Sequence, residues 1–160
     1  MQRKKIHDKE FEVYLSEDQI QQRLKDLGSQ ISNDFQGQKL LVIGVLNGSF
    51  MVLADLCRYI NLDISIEFLK ISSYSGTEST GQVKSIFGLN QELTGMSVLI
   101  IEDIVDTGLS MKFLLEELQK LNPNRIAIMT LLFKKEAFRF NYPLDYVGFE
   151  IPNKFVVGYG

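Results

Sequence analysis

VLIIEDIVDTGLSM, residues 98–111, reads as a strand, an acidic loop and the start of a helix. Its first residues form a continuous apolar, β-branched run of the kind a buried strand requires. Glu102 and Asp103 close that run, Asp106 follows on the loop, and Thr107, Gly108, Leu109 and Ser110 open the helix. In an open parallel sheet, ligands bind beyond the carboxyl ends of the strands. Carboxylates placed there need hydrogen-bond donors, and sugar hydroxyls are suitable ones. Two adjacent acids can therefore hold a vicinal diol. The helix start supplies backbone amides, hydroxyls, a positive dipole end and a glycine that lets an anion approach the main chain. Diol-binding acids just before a phosphate cradle match a ribose 5-phosphate. Taken singly, each half has another reading: acidic strand ends occur in magnesium sites and phospho-acceptor domains, and a glycine with hydroxyls before a helix can be simple capping.

The same strand, turn and helix order occurs upstream. KLLVIGVL (39–46) is a short apolar run ending in Asn47-Gly48, and an apolar helical stretch, 49–60, follows. Downstream of the opening segment, Met111, Leu114, Leu115, Leu118 and Leu121 share a helix face until Asn122-Pro123-Asn124 stops it, and RIAIMTLLF (125–133) gives another buried strand. SIEFLKISSY (65–74) is a further strand. Before all of these, Ser16 and Gln19 form a capping box, Leu15 and Ile20 can staple it, and Ile20, Leu24, Leu27 and Ile31 recur at helical spacing until Gly37.

Strands that alternate with helices, and are apolar throughout rather than half-polar, indicate a parallel sheet covered on both faces. The expected fold is α/β, a doubly wound, mainly parallel sheet flanked by helices. The stretch SGTESTGQVK (75–84) is polar and lacks core anchors, as a lid or a disordered loop would. The tail from residue 135, dense in aromatics and broken by Pro143 and Pro152, reads as a small hood subdomain over the sheet's edge.

The totals set limits. A chain of 160 residues suits a single domain, with 45% apolar and 23% charged residues in the ordinary globular range. A net charge of −3 argues against a nucleic-acid backbone as the main partner, which would require a clustered basic face. Cys57 stands alone, so no intrachain disulfide forms and a reducing cytoplasm suits the protein. The basic start lacks the apolar stretch of a secretory signal, and no apolar run reaches the roughly 20 residues of a membrane span. No nucleic-acid and no membrane partner is expected.

With these residues in view, 98–111 resembles the phosphoribosyl-pyrophosphate signature of type I phosphoribosyltransferases, and its Glu-Asp-Ile-x-Asp-Thr-Gly form is similar to that of the hypoxanthine-guanine phosphoribosyltransferases. VLNGSFMVLADL (45–56) resembles that family's pyrophosphate-binding turn and helix, SSY (72–74) the start of its mobile loop, and LLFK (131–134) with VGFEIPNKFVVGY (147–159) its purine-binding hood. The resemblance spans nearly the whole chain. It implies purine salvage: ribose 5-phosphate passes from phosphoribosyl pyrophosphate to hypoxanthine or guanine with magnesium, giving IMP or GMP and pyrophosphate. Carried over residue by residue, it implies that Asp106 is the proton acceptor near purine N7. Glu102 and Asp103 would hold the ribose hydroxyls and help to place the metal, and Thr107, Gly108, Leu109 and Ser110 would cradle the 5-phosphate. Leu46, Asn47 and Gly48 would present amides to pyrophosphate from a turn that often carries a cis peptide, with Ser73 and Tyr74 closing over it. Ile104, Lys134, Phe155 and Val156 would meet the purine: Lys134 donates to the exocyclic O6, Phe155 stacks on the base and Val156 lends its main chain to the base edge. The resemblance further implies a homodimer or homotetramer.

Two departures stand out. The family continues beyond the position of Gly160 with a Leu-Asp pair and a basic segment, so a truncated C-terminus is expected. Leu109 stands where some members have lysine, which a backbone cradle tolerates. The organisation expected is one domain over 1–160, with a core of about 16–134 and a hood built from the N-terminal segment and 135–160. The competing reading is a regulatory protein of the same fold that senses phosphoribosyl pyrophosphate or a nucleotide. A dinucleotide domain fits least, because Leu-Asn-Gly-Ser follows the first strand in place of a Gly-x-Gly-x-x-Gly turn.

Overall fold

The computed structural model describes residues 3–74, 83–87 and 92–159. Its elements run β1 (Arg3–Ile6), β2 (Lys9–Glu12), α1 (Glu17–Asp34), β3 (Leu40–Leu46), α2 (Phe50–Cys57), β4 (Ile64–Tyr74), β5 (Val83–Phe87), β6 (Ser97–Val105), α3 (Leu109–Gln119), β7 (Arg125–Phe133) and β8 (Tyr146–Glu150). The main sheet has the order β5-β4-β3-β6-β7-β8, in which β4, β3, β6, β7 and β8 are parallel and β5 is antiparallel to β4.

Both faces of this sheet are buried, and strand periodicity explains how. Leu40, Val42, Leu99, Ile101, Ala127 and Met129 point to one side, where α1 (Leu24, Leu27, Ile31) and α2 (Val52, Leu53, Leu56) cover them. The alternate residues Leu41, Ile43, Val98, Ile100 and Ile128 point to the other side and meet Met111, Leu114 and Leu118 of α3. Continuous apolar strands are thus the direct signature of a sheet with two dry faces. The capping box is present: the Ser16 amide donates to Gln19 Oε1 at 2.9 Å, and the Gln19 amide to Ser16 Oγ at 3.2 Å.

Four details differ from the sequence reading. First, β6 does not end at Asp103 but runs to Val105, because β7 is long enough to keep pairing with it through Ile104↔Leu132 and Val105↔Phe133. Second, Tyr146–Glu150, read as part of the hood, adds an edge strand to the main sheet, where Arg23 of α1 donates to the carbonyls of Val147 (2.6 Å) and Gly148 (2.9 Å). Third, Val83 and Lys84, assigned to the polar stretch, begin β5, while 75–82 lie outside the described residues. Fourth, α2 ends at Cys57, three residues earlier than expected. The N-terminal segment forms a separate hairpin, β1 with β2, turning at His7-Asp8 where His7 takes φ 55°. Its Phe11 ring lies 6.3 Å from that of Phe155.

Candidate active site

Because β3, β6 and β7 are adjacent and parallel, the residues that follow them emerge side by side. Asn47, Asp106 and Lys134 are the first residues after these three strands. At the β3 exit, the Leu46–Asn47 peptide is cis and the turn 47–49 leads into α2. Gly48 there lies directly against the Asp103 carboxylate: a Cβ added at Gly48 would fall 2.2 Å from Asp103 Oδ2. The other oxygen of Asp103 accepts the Ile104 amide at 2.9 Å. The turn and one acid of the pair are therefore a single assembly.

On the β7 side, Lys134 Nζ donates to Asp106 Oδ2 at 3.1 Å. The lysine side chain is only 11% exposed and the aspartate 48%. An ammonium buried to that degree requires such a partner, and the ladder supplies the approach by holding the Lys134 amide on the Val105 carbonyl at 2.9 Å.

Glu102 is the most perturbed acid of the site. Burial first, and then the neighbouring Asp103 carboxylate, push its pKa well above the ordinary glutamate value. The sign of the consequence follows. In the window from the ordinary glutamate range up to the raised value, the folded chain holds a proton that the unfolded chain has lost, so stability falls as pH rises. We expect the ligand-free protein to lose up to about 1.4 kcal/mol per pH unit across that window, and Glu102→Gln to flatten the loss. Urea midpoints of both proteins from mildly acidic to mildly basic buffer test this; parallel curves would contradict it.

Thr107 and Gly108 precede α3, Gly108 as its N-cap with φ 85° and ψ 3°, and Leu109 and Ser110 open the helix. The Leu109 amide makes a long contact of 3.4 Å to Thr107 Oγ1. Asp103, Ile104, Phe155 and Val156 line one cavity of about 1330 Å³, together with Leu131, Leu132 and the N-terminal hairpin. Phe155 is 71% exposed, with the Lys9 ammonium 5.3 Å from its ring centroid. Asp106 and Lys134 are not among the cavity's lining residues. Ser73 and Tyr74 end β4, and their side chains lie outside the described residues.

Against known proteins, residues 12–160 match the family model for the phosphoribosyl transferase domain. The hypoxanthine-guanine phosphoribosyltransferase of Dictyostelium discoideum is 44% identical over 154 residues, covering 93% of this chain and 86% of that protein. This chain belongs to the hypoxanthine-guanine phosphoribosyltransferase family. The Staphylococcus aureus protein of that name is likewise 44% identical, over 97% of this chain and 87% of its own length. A crystal structure of a hypoxanthine phosphoribosyltransferase from the same organism superposes with a TM-score of 0.85 at 40% identity, covering 93% of this chain and 82% of that one. A hypoxanthine-guanine phosphoribosyltransferase structure from Bacillus anthracis gives 0.86 at 38% identity, covering 94% and 89%. The fold is the type I phosphoribosyltransferase fold, and the chain is a phosphoribosyltransferase of the purine-salvage type. Nothing in the comparisons favours the regulatory alternative.

Some neighbours of the candidate residues were not legible in the sequence. Lys9 and Phe11 flank Phe155, and nothing local marks them, since in 3–12 only Ile6 and Phe11 are apolar and no strand alternation results. Tyr142, whose hydroxyl reaches the Gly108 carbonyl at 2.6 Å, left no local signal because 34 positions separate the partners.

Proposed function

We propose that this enzyme transfers ribose 5-phosphate from phosphoribosyl pyrophosphate to N9 of hypoxanthine, and of guanine, releasing pyrophosphate and IMP or GMP. The observation that carries the assignment of residues is the pairing at the strand exits: Asp103 against Gly48 on one side, and Lys134 with Asp106 on the other.

Leu46, Asn47 and Gly48 offer the turn that receives pyrophosphate, with Ser73 and Tyr74 proposed to close over it. Glu102 and Asp103 hold the ribose diol. Thr107, Gly108, Leu109 and Ser110 cradle the 5-phosphate at the start of α3. As C1 of the sugar gains positive character, Asp106 takes the purine proton near N7, a task for a carboxylate beside the sugar. Lys134 donates to the base's O6, which selects an oxo group over the amino group of adenine. Ile104, Phe155 and Val156 face one cavity, which supports their reading as the purine's apolar contacts.

The donor set fits magnesium. No cluster of three or more potential ligands occurs among the described residues, whereas magnesium is commonly held by one or two carboxylates together with substrate phosphates. Glu102 and Asp103 would hold it, and its charge would offset that of the departing pyrophosphate.

The chain is read as one domain, 1–160, with a core of about 16–134 and a hood from the N-terminal segment and 135–160, less the edge strand β8. Work in the cytoplasm as a homodimer or homotetramer completes the reading. Support for self-association comes from the exposed Phe50, Met51, Ile66 and Phe68. No helix among the described residues is long and apolar enough to cross a membrane.

Steady-state assay with phosphoribosyl pyrophosphate and magnesium tests the proposal. Hypoxanthine and guanine are expected to give IMP and GMP, with adenine at least about a hundredfold poorer, since an unpaired buried donor discriminates strongly. Ligand binding without product would favour a sensor instead, and equal use of adenine would remove Lys134 from base selection.

A further inference from the structure

We propose that Tyr142 is a positioning residue for the phosphate cradle: from behind, its hydroxyl locks the Gly108 carbonyl so that the cradle amides face the ligand side. The inference rests on the reading of 107–110 as the 5-phosphate site. It adds a residue that 98–111 does not contain.

The first half of the cradle, Thr107 and Gly108, is weakly fixed by its own side chains. Gly108, in the N-cap position of α3, has no side chain with which to cap, and the Thr107 hydroxyl reaches the Leu109 amide only at 3.4 Å. Orientation comes from the segment after β7 together with the first turn of α3. The Thr107 carbonyl accepts the Arg139 amide at 3.1 Å, and the Gly108 carbonyl accepts both the Lys112 amide at 3.0 Å and the Tyr142 hydroxyl at 2.6 Å. Across a trans peptide the C=O and the following N–H point in opposite directions. Holding these two carbonyls toward 139–142 therefore turns the Gly108 and Leu109 amides the other way. A carbonyl with both lone pairs engaged also has no reason to swing round and face an anion.

Tyr142 is itself rigidly held. Its ring lies edge-on to Phe138, 5.1 Å between centroids at 89°, and stacks on Phe140 at 5.9 Å and 18°. The fit at Gly108 is close, since an added Cβ would meet the Tyr142 hydroxyl and Phe138 Cε2, each at 2.5 Å. Burial, and next the charge of Glu102, push the Tyr142 pKa up, so the hydroxyl remains a donor over the working pH range.

Tyr142→Phe removes only that donor. We expect KM for phosphoribosyl pyrophosphate, and Kd for IMP and for inorganic phosphate, to rise about fivefold, the value of one ordinary hydrogen bond, with kcat within twofold. Phe140→Leu, which frees the ring but keeps the hydroxyl, should move the same constants by a smaller factor. Tyr146→Phe serves as the control for a purely structural loss: its hydroxyl bond to Asp34, 2.7 Å, is remote from the cradle, so Tm should fall with KM unchanged. If wild type binds IMP and Tyr142→Phe binds it equally well, the positioning role is overturned while the cradle stands. If wild type binds neither IMP nor phosphate, the cradle reading falls and the role of Tyr142 with it.

Discussion

Asp106→Asn is expected to lower kcat by about two to four orders of magnitude, the usual worth of a positioned acid or base, while changing IMP affinity by no more than a few-fold. The substitution keeps shape and one carbonyl oxygen, so Lys134 Nζ can still donate across the 3.1 Å contact and the fold is retained. An amide cannot take the purine proton. Ground-state binding and proton transfer are thereby separated, which is the signature of an interaction made in the transition state. Pre-steady-state and steady-state turnover with hypoxanthine, beside IMP titration, give the measurement. Wild-type turnover in the variant would remove Asp106 from the chemistry. A parallel collapse of IMP binding would show instead that the site had been disrupted.

Gly48→Ala is the second large effect. No positive φ stands in the way of alanine at this position, so backbone strain does not enter; the obstacle is the Asp103 carboxylate, whose Oδ2 and Cγ would lie 2.2 and 2.6 Å from the new methyl group. Real contacts of that kind do not fall below 3.0 Å, so Asp103 must retreat, and in doing so must loosen its bond to the Ile104 amide. Displacement of a positioning group by about 1 Å costs roughly a hundredfold in rate. We therefore expect kcat/KM for phosphoribosyl pyrophosphate to fall about 100-fold and the magnesium concentration for half-maximal activity to rise, with little change in Tm. Unaltered magnesium dependence would mean that Asp103 is not held by this turn.

Much of this was legible in the sequence, for definable reasons. β3, β6 and β7 announce themselves because central strands with two buried faces must be apolar throughout, and Ser16 with Gln19 marks the α1 start because a capping box is a local interaction. Edge strands lack that signature. β8, YVGFE, carries a glycine and is half-buried, and β5 has a partner on one side only, so neither stands out from its surroundings. The end of β6 is not readable locally because Ile104 and Val105 follow two acids, and only the length of β7 reveals that pairing continues.

The candidate site divides in the same way. Acids at a strand end and a glycine at a helix start are local patterns, and Lys134 sits one residue beyond an apolar run. That Lys134 meets Asp106, 28 residues away, or that Tyr142 meets Gly108, is decided by strand order and by a loop that folds back, neither of which any window of sequence contains.

The adjacency of β3, β6 and β7 gives the sheet a metric role. Neighbouring strands are spaced about 4.8 Å apart by their hydrogen bonds, a distance that evolution cannot tune. Under the proposed assignment, leaving group, sugar and base are laid out along that fixed pitch in the order in which bonds break and form. The sheet then acts as a ruler for an in-line displacement. Loops can lengthen or change composition without altering the scale, whereas a one-residue slip of β6 against β3 would turn Glu102 and Asp103 each to the opposite face and undo the proposed site while the strands stay hydrogen-bonded.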